Sequence, residues 1–188
     1  MMELTLTPVL MSAEAFQALP ERARQCALVR GELVETMPPG GKHGVIALRL
    51  GARLERWAET GNYGVVGTES GFILQRDPDT VRSPDLFFVC AAALPPTGVP
   101  EAFWAQAPDL VVEIVSPSET AEEVRAKIHD YMAAGTQLIW VVYPRTREVL
   151  VHRPGGAIQA YAEEQRLEDA ALLPGFGCRV AELFERMA

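Results

Sequence analysis

The segment Leu110-Val111-Val112-Glu113-Ile114-Val115 decides the fold, because it is the most β-branched run of the chain. A run of this kind, without polar alternation, is typical of a strand that is buried on both faces of a sheet. Glu113 is its one charged residue, and a carboxylate inside a buried strand needs a cationic partner or a metal ion. The segment therefore predicts both the centre of a β-sheet and one residue of a functional site.

Helices and further strands are predicted on both sides of this central strand. Ser116 or Ser118 is expected to cap a helix that continues to about Ala134, with Gly135 just beyond its last turn. Apolar residues at helical spacing predict an earlier amphipathic helix over residues 45–59. The other expected elements are a helix over 13–19, a hairpin over 25–30 and 32–37, a meander over 63–68, 72–75 and 86–90, strands over 138–143, 148–152 and 158–161, and a last helix over 181–187. This order predicts one α/β (mixed α+β) domain over residues 1–188, with a mixed β-sheet core flanked by helices and an N-terminal hairpin.

Composition and charge narrow the possible function classes. The 188 residues include 17 Lys+Arg and 25 Asp+Glu, and the net charge of −8 argues against a protein that coats nucleic acid regardless of sequence. Three cysteines without a CxxC pair argue against a disulfide framework or a zinc site. Neither a membrane span nor a signal peptide is indicated, so we expect no membrane contact and a cytoplasmic location. Lys42 and Lys127 are the only lysines, so any catalytic lysine is one of these two.

A second acidic residue, Asp85, is expected to lie beside Glu113. Asp109 shares a strand face with Glu113, but four residues of strand span about 13 Å. That is too far for two ligands of one hard cation, whose oxygens lie about 3–4 Å apart. Neighbouring strands are only about 4.8 Å apart, so Asp85 at the start of an adjacent strand can meet Glu113. Because two close carboxylates repel each other, the pair predicts a bound Mg²⁺ or Mn²⁺.

Lys127 is the candidate for the cationic group of this site. It lies on the helix directly after the Glu113 strand, and that helix should pack back onto the same region of the sheet. A lysine there can steady an attacking water and the charge that develops on phosphorus in phosphodiester hydrolysis. The alternative is a surface ion pair with Glu123, which stands four residues earlier on the helix.

These residues occur in an order that resembles the Uma-two family of proposed restriction endonucleases, within the PD-(D/E)XK nuclease superfamily. The motifs that carry the resemblance are Ser83-Pro84-Asp85, Asp109-Leu-Val-Val-Glu113-Ile-Val-Ser116-Pro117-Ser118, Lys127-Ile-His-Asp-Tyr131, Ala134-Gly135, Ile139-Trp140-Val-Val-Tyr-Pro144 and Leu173-Pro174-Gly175-Phe176. The resemblance implies a restriction-endonuclease-like fold and metal-dependent endonuclease cleavage of DNA, with Mg²⁺ or Mn²⁺ held by Asp85 and Glu113.

The family pattern also assigns the remaining site residues. The superfamily's lysine usually stands two residues after the acid, where this chain has Val115. In this family Lys127, from the following helix, matches the lysine instead. Glu35 and His43 match further polar positions that complete the site, although each can also be read as a solvated residue near a turn or helix start.

Several alternatives stay open at this point. The fold can be retained without catalysis, as a DNA-binding or assembly module, and the departure at Val115 motivates that hypothesis. A homodimeric scaffold is a third hypothesis. Arg49, Arg53 and Arg56 form one stripe along the predicted helix over 45–59, which is either a solvated flank or a track for phosphates. Tyr131 and Trp140 are expected to pack in the core.

Overall fold

The computed structural model describes residues 10–20 and 26–187 of the chain. Its helices are α1 (Ala13–Gln17), α2 (Gly41–Gly61), α3 (Ala121–Ala133) and α4 (Val180–Leu183). Its strands are β1 (Cys26–Val29), β2 (Glu32–Glu35), β3 (Gly64–Gly67), β4 (Phe72–Gln75), β5 (Thr80–Arg82), β6 (Leu86–Cys90), β7 (Leu110–Ile114), β8 (Leu138–Tyr143), β9 (Glu148–His152), β10 (Ile158–Tyr161), β11 (Arg166–Asp169) and β12 (Leu173–Arg179). No helix within these described ranges is long and apolar enough to cross a membrane.

The main sheet has six strands in the order β10-β9-β8-β7-β6-β3. Strand β7 lies between β6 and β8, and all five of its residues are buried, which confirms the predicted central strand. Strands β7 and β8 are parallel, whereas the other neighbours in this sheet are antiparallel. A parallel pair needs a crossover connection, and helix α3 supplies it. The mixed sheet with flanking helices is therefore the fold class that the sequence predicts.

Helices α2 and α3 cover opposite faces of this sheet. Successive side chains of β7 point to opposite faces, and they contact different helices. Val112 on one face packs in a buried cluster with Ile46 and Leu50 of α2. Val111 on the other face packs in a second cluster with Val124 of α3. The polar site described below lies where β7 ends, so both helices can contribute side chains to it.

Both long helices begin at other residues than the sequence suggests. Helix α2 starts at Gly41, four residues before the predicted start. The prediction began where the apolar pattern begins, whereas the helix begins directly after its N-cap, Gly40. Helix α3 is capped by Thr120, whose side chain and that of Glu123 form a reciprocal capping box, so the predicted caps Ser116 and Ser118 are wrong. The predicted C-terminal end near Gly135 is confirmed.

The predicted meander is wrong, because its strands belong to two different sheets. Strand β3 pairs with β6 in the main sheet, whereas β4 pairs with β5 in a four-stranded sheet of order β2-β1-β5-β4. The three residues of β5 were missed because they lie between the turn at Asp77-Pro78 and Pro84. Strands β11 and β12, which pair with each other, were also missed. The hairpin of β1 and β2 is confirmed, although Gln25 of the prediction lies outside the described residues.

His152 is the last residue of β9 and is partly buried. Its Nε2 atom is buried without a hydrogen-bond partner in the described part of the chain, and burial lowers the pKa of its imidazole. A histidine whose pKa is lower in the folded protein than its value of 6.5 in the unfolded chain stabilises the fold at pH values above 6.5. That stabilisation is lost as the pH falls through the pKa of the folded state. We expect His152→Phe to lose less stability than the wild type between pH 7.5 and 5.5.

Urea unfolding of metal-free protein at the two pH values measures this difference. His129→Phe is the matched control, because the His129 side chain is largely exposed. Equal pH dependence of the wild type and His152→Phe would contradict the prediction.

Candidate active site

Asp85 and Glu113 lie side by side at one end of the main sheet. In the antiparallel pair of β6 and β7, Leu86 is opposite Val112, so the next position along brings Asp85 level with Glu113. The Oδ2 atom of Asp85 accepts a hydrogen bond of 2.6 Å from the backbone N–H of Ile114. Strand pairing therefore fixes the separation of the two carboxylates.

Helix α3 presents two side chains to the Glu113 carboxylate. Lys127 Nζ donates to Glu113 Oε2 at 2.8 Å, and the Tyr131 hydroxyl donates to Glu113 Oε1 at 2.8 Å. Residues four apart lie on one face of a helix, which is why both donors reach the same carboxylate. Glu113 is only 5% exposed, so these two donors replace the water that the carboxylate would otherwise bind.

A third carboxylate, Glu119, completes the surroundings of Lys127. Lys127 Nζ donates to Glu119 Oε1 at 2.7 Å, and Glu119 Oε2 accepts from the backbone N–H of Ser116 at 2.8 Å. The alternative partner Glu123 is bonded at the start of α3 instead. Lys127 is thus held between Glu113 and Glu119 and is not a surface ion pair of its own helix.

Burial and neighbouring charges shift the pKa values of Glu113 and Lys127. Burial raises the pKa of Glu113 to about 6, Lys127 opposes that rise, and the charge of Asp85 adds to it. Burial lowers the pKa of Lys127, but the charges and hydrogen bonds of Glu113 and Glu119 outweigh burial and raise it above its ordinary value. Lys127 therefore stays protonated and acts as a hydrogen-bond donor, not as a base.

His43 lies in the first turn of α2 and reaches the same site. Its Nε2 atom is 3.0 Å from Asp85 Oδ2. Burial lowers the pKa of His43, but its hydrogen bond to Asp85 and the nearby charges raise it above the ordinary value. Glu35, the other residue matched by the family pattern, is exposed on β2, and within 10–20 and 26–187 its side chain makes no hydrogen bond or ion pair. Four of the five expected residues are thus brought together, and the role of Glu35 stays a prediction.

The arginine stripe of α2 is used mainly within the protein. Arg49 donates to the backbone carbonyl of Leu183, and Arg53 binds the Glu182 carboxylate at 2.9 Å. Both residues therefore attach the C-terminal segment to α2. Of the three arginines, only Arg56 has no hydrogen bond or ion pair between its guanidinium and a residue that the structure describes.

The carboxylates fit the predicted divalent ion. No group of three or more His, Cys, Asp or Glu residues in the described chain is arranged around one ion position. Mg²⁺, however, usually binds one or two carboxylates and completes its shell with water and phosphate oxygens. Asp85 Oδ1 makes no hydrogen bond with any described residue, and a carboxylate that accepts two bonds, as Glu113 does, retains further lone pairs. Asp85 and Glu113 are therefore the two residues that would hold it.

A cleft of about 490 Å³ opens beside these residues, between α2 and β3. We call it the site cleft. Its lining includes His43, Gly44, Ala47, Gly51, Val66 and Asp85. The small residues of α2 leave the space from which a substrate can approach Asp85.

Tyr131 and Glu119 are site residues that sequence reasoning missed. Tyr131 was expected in the core, and it is buried there, but its hydroxyl is also bonded to Glu113. Its spacing of four residues from Lys127 was the available signal. Nothing in the sequence distinguished Glu119 from other acids at the start of α3. Trp140 packs in the core as expected.

Comparisons with known proteins identify the family and the fold of this chain. The family model Uma2, described as "Putative restriction endonuclease", matches residues 13–181. No curated protein matches the chain. A crystal structure of a putative nuclease belonging to DUF820 from Anabaena variabilis ATCC 29413 is similar, with a TM-score of 0.81, 20% identity, and coverage of 93% of this chain and 97% of that chain. At that identity the likeness shows a shared fold.

A cryo-EM structure of a DrdV–DNA complex is also similar over 73% of this chain and 78% of that chain, at 16% identity. Its TM-score of 0.40 is too low to support an argument. The family match, in contrast, includes Asp85, Glu113 and Lys127. Because it spans nearly the whole sequence, the chain belongs to the Uma2 family of putative restriction endonucleases.

Proposed function

We propose that this protein is a Mg²⁺- or Mn²⁺-dependent endonuclease that hydrolyses DNA phosphodiester bonds. One observation carries the proposal: Lys127 Nζ lies 2.8 Å from Glu113 Oε2, although the usual lysine position holds Val115. A lysine from α3 thereby supplies the positive charge that the strand lacks. The family description supports DNA as the substrate.

Each residue of the site has a separate part in this proposal. Asp85 and Glu113 hold the metal ion, which when bound supplies a Lewis acid for the phosphate and lowers the pKa of a water. Lys127 keeps its proton and donates a hydrogen bond toward the charge that develops on the phosphate oxygens. Tyr131 fixes the orientation of the Glu113 carboxylate. His43 contacts Asp85 Oδ2 through its Nε2 atom and orients that carboxylate.

Cleavage of supercoiled plasmid tests the proposal. We expect nicked or linear products with Mg²⁺ or Mn²⁺, none with EDTA, and none from Asp85→Asn in either metal. Glu101→Gln is the matched control, since Glu101 is an exposed carboxylate that makes no contact with the site. The proposal fails if no DNA form is cleaved with either metal, or if Asp85→Asn cleaves as fast as Glu101→Gln.

A second candidate is a catalytically inactive module that keeps the fold for DNA binding or assembly. The observation that favours it is that both Glu113 oxygens already accept hydrogen bonds, from Lys127 and Tyr131. Calorimetric titration with Mn²⁺ separates the two candidates. Binding that disappears in Asp85→Asn supports the enzyme, and the absence of binding by a folded wild type supports the module.

A further inference from the structure

A second cleft, of about 710 Å³, lies at the C-terminal half of α2 and is separate from the Asp85–Glu113 site. We call it the aromatic cleft. Trp57 and Tyr63 line it with their rings stacked at a centroid distance of 4.7 Å. The Trp57 indole N–H donates to the carbonyl of Pro174, which joins this wall to the start of β12. Gly175 and Phe176 of β12 form the other wall.

The aromatic cleft is positively charged in an otherwise acidic protein. Arg56 lines it, is exposed, and has no partner for its guanidinium among residues 10–20 and 26–187. The Arg166 guanidinium lies against Gly177. Arg53 also lines the cleft, but Glu182 offsets its charge. Of the two arginines that line the cleft, Arg56 is therefore the one whose charge is available for a ligand.

We propose that the aromatic cleft binds a nucleotide, with the base against the Trp57–Tyr63 wall and the phosphate on Arg56. Aromatic faces accept any nucleobase by stacking, and a guanidinium matches the planar geometry of phosphate oxygens. Tyr63 is 37% exposed, so part of this wall is open to a ligand. Of the arginine stripe that the sequence offered as a phosphate track, only Arg56 is thus left to contact phosphate, because Arg49 and Arg53 bind the C-terminal segment.

The position of the aromatic cleft connects it to the site cleft. Ala52 of α2 lines both. Thirteen residues separate His43 from Arg56, which corresponds to about 20 Å along the helix, or to about six stacked nucleotides of one strand. We therefore infer that the bound nucleotide belongs to a DNA strand that also reaches Asp85. This inference rests on the proposed function. A free nucleotide has the same chemistry and is the other possible source.

Tryptophan fluorescence provides the measurement. Trp57 is the one partly exposed tryptophan, whereas Trp104 and Trp140 are 2% and 1% exposed. We expect saturable quenching by an eight-nucleotide oligothymidylate at low salt without divalent metal. Thymidine monophosphate that binds as tightly as the oligonucleotide would identify a free nucleotide as the ligand. Inorganic phosphate that binds as tightly as both would overturn the proposal.

Arg56→Gln should weaken oligothymidylate binding by about tenfold, because it removes one charge-assisted contact to phosphate. It should also reduce the slope of log affinity against log salt concentration by about 0.7. Arg125→Gln is the matched control, since Arg125 is an exposed arginine of α3 on the opposite face of the main sheet. Equal affinities and salt slopes for these two variants would overturn the proposal.

The same titration distinguishes this proposal from the proposed function. In the Asp85→Asn background, which should cleave nothing, Arg56→Gln should weaken oligothymidylate binding by the same factor as it does in the wild type. If oligothymidylate binding depends on Arg56 but the wild type cleaves no DNA, the aromatic cleft is supported as a nucleotide site and the proposed endonuclease function is contradicted. If the wild type cleaves DNA with metal but Arg56→Gln does not change the affinity for oligothymidylate, the endonuclease function is supported and the nucleotide site is contradicted.

Discussion

Glu113→Gln should abolish Mg²⁺-dependent DNA cleavage while the protein stays folded. The variant loses the charge that attracts the metal ion but keeps an acceptor for the Tyr131 hydroxyl. Removing one of two metal-holding carboxylates forfeits several kcal/mol of transition-state stabilisation, so we expect a rate at least about a thousandfold lower. Lys127 retains Glu119 as a partner. We therefore expect the free energy of unfolding to change by no more than about 1–2 kcal/mol.

Three measurements on one preparation separate chemistry from folding. Plasmid cleavage gives the rate, calorimetry gives Mn²⁺ affinity, and urea unfolding gives stability. The expected pattern is lost cleavage, weakened Mn²⁺ binding and a nearly unchanged unfolding midpoint. Glu101→Gln should match the wild type in all three. Undiminished cleavage by Glu113→Gln would remove Glu113 from the site.

Lys127→Met should be the most destabilising substitution among the site residues. The change leaves both the buried Glu113 carboxylate and the Glu119 carboxylate without their cationic partner. Breaking a fully buried pair costs about 3–5 kcal/mol, and because Lys127 is 26% exposed we expect about 2–3 kcal/mol. Cleavage should be lost as well, since no other described side chain donates a cationic hydrogen bond to Glu113.

The deficit of Lys127→Met should depend on pH in a defined direction. In the wild type the pKa of Glu113 is raised from 4.5 to about 6 by burial, with Lys127 opposing. A raised folded pKa means that this group stabilises the fold at low pH and that the stabilisation is lost as the pH rises through the folded pKa. Without Lys127 that pKa rises further. The difference in stability from the wild type should therefore be larger at pH 8 than at pH 5.

Urea unfolding of metal-free protein at pH 5 and pH 8 measures the effect. Lys42→Met is the matched control, because Lys42 is the other lysine of the chain and is exposed at the start of α2. It should change stability little at either pH. A deficit that is equal at both pH values, or equal to that of Lys42→Met, would contradict a role for Lys127 in neutralising Glu113.

The elements that sequence could predict are those with a strong local pattern. The β-branched run around Glu113 forms β7 as expected, and the amphipathic periodicity of α2 and the Gly135 stop of α3 are both found. In each case the deciding interactions are local: burial of adjacent side chains, or the backbone conformation of one glycine. The start of α3 was harder, because Ser116, Ser118 and Thr120 are all competent caps.

The pairing of short strands could not be predicted, because it depends on contacts between distant segments. Strand β3 pairs with β6 while β4 pairs with β5, yet nothing local to these segments distinguishes the two partners. The same holds for Glu119 and Tyr131, whose roles depend on how α3 packs over the sheet. The aromatic cleft likewise forms only where α2 meets the start of β12.

The sequence by itself determined the central strand, its buried carboxylate, the neighbouring Asp85 and the scarce Lys127. It could do so because an acidic residue within an apolar strand is unusual and can be recognised from the sequence alone. Only the tertiary structure decided that Lys127 reaches Glu113, that Glu119 and Tyr131 hold the pair, and that Arg56 alone of its stripe is free of a partner within the described residues. Those facts depend on how helices pack across the sheet, and packing is set by contacts between residues far apart in the chain.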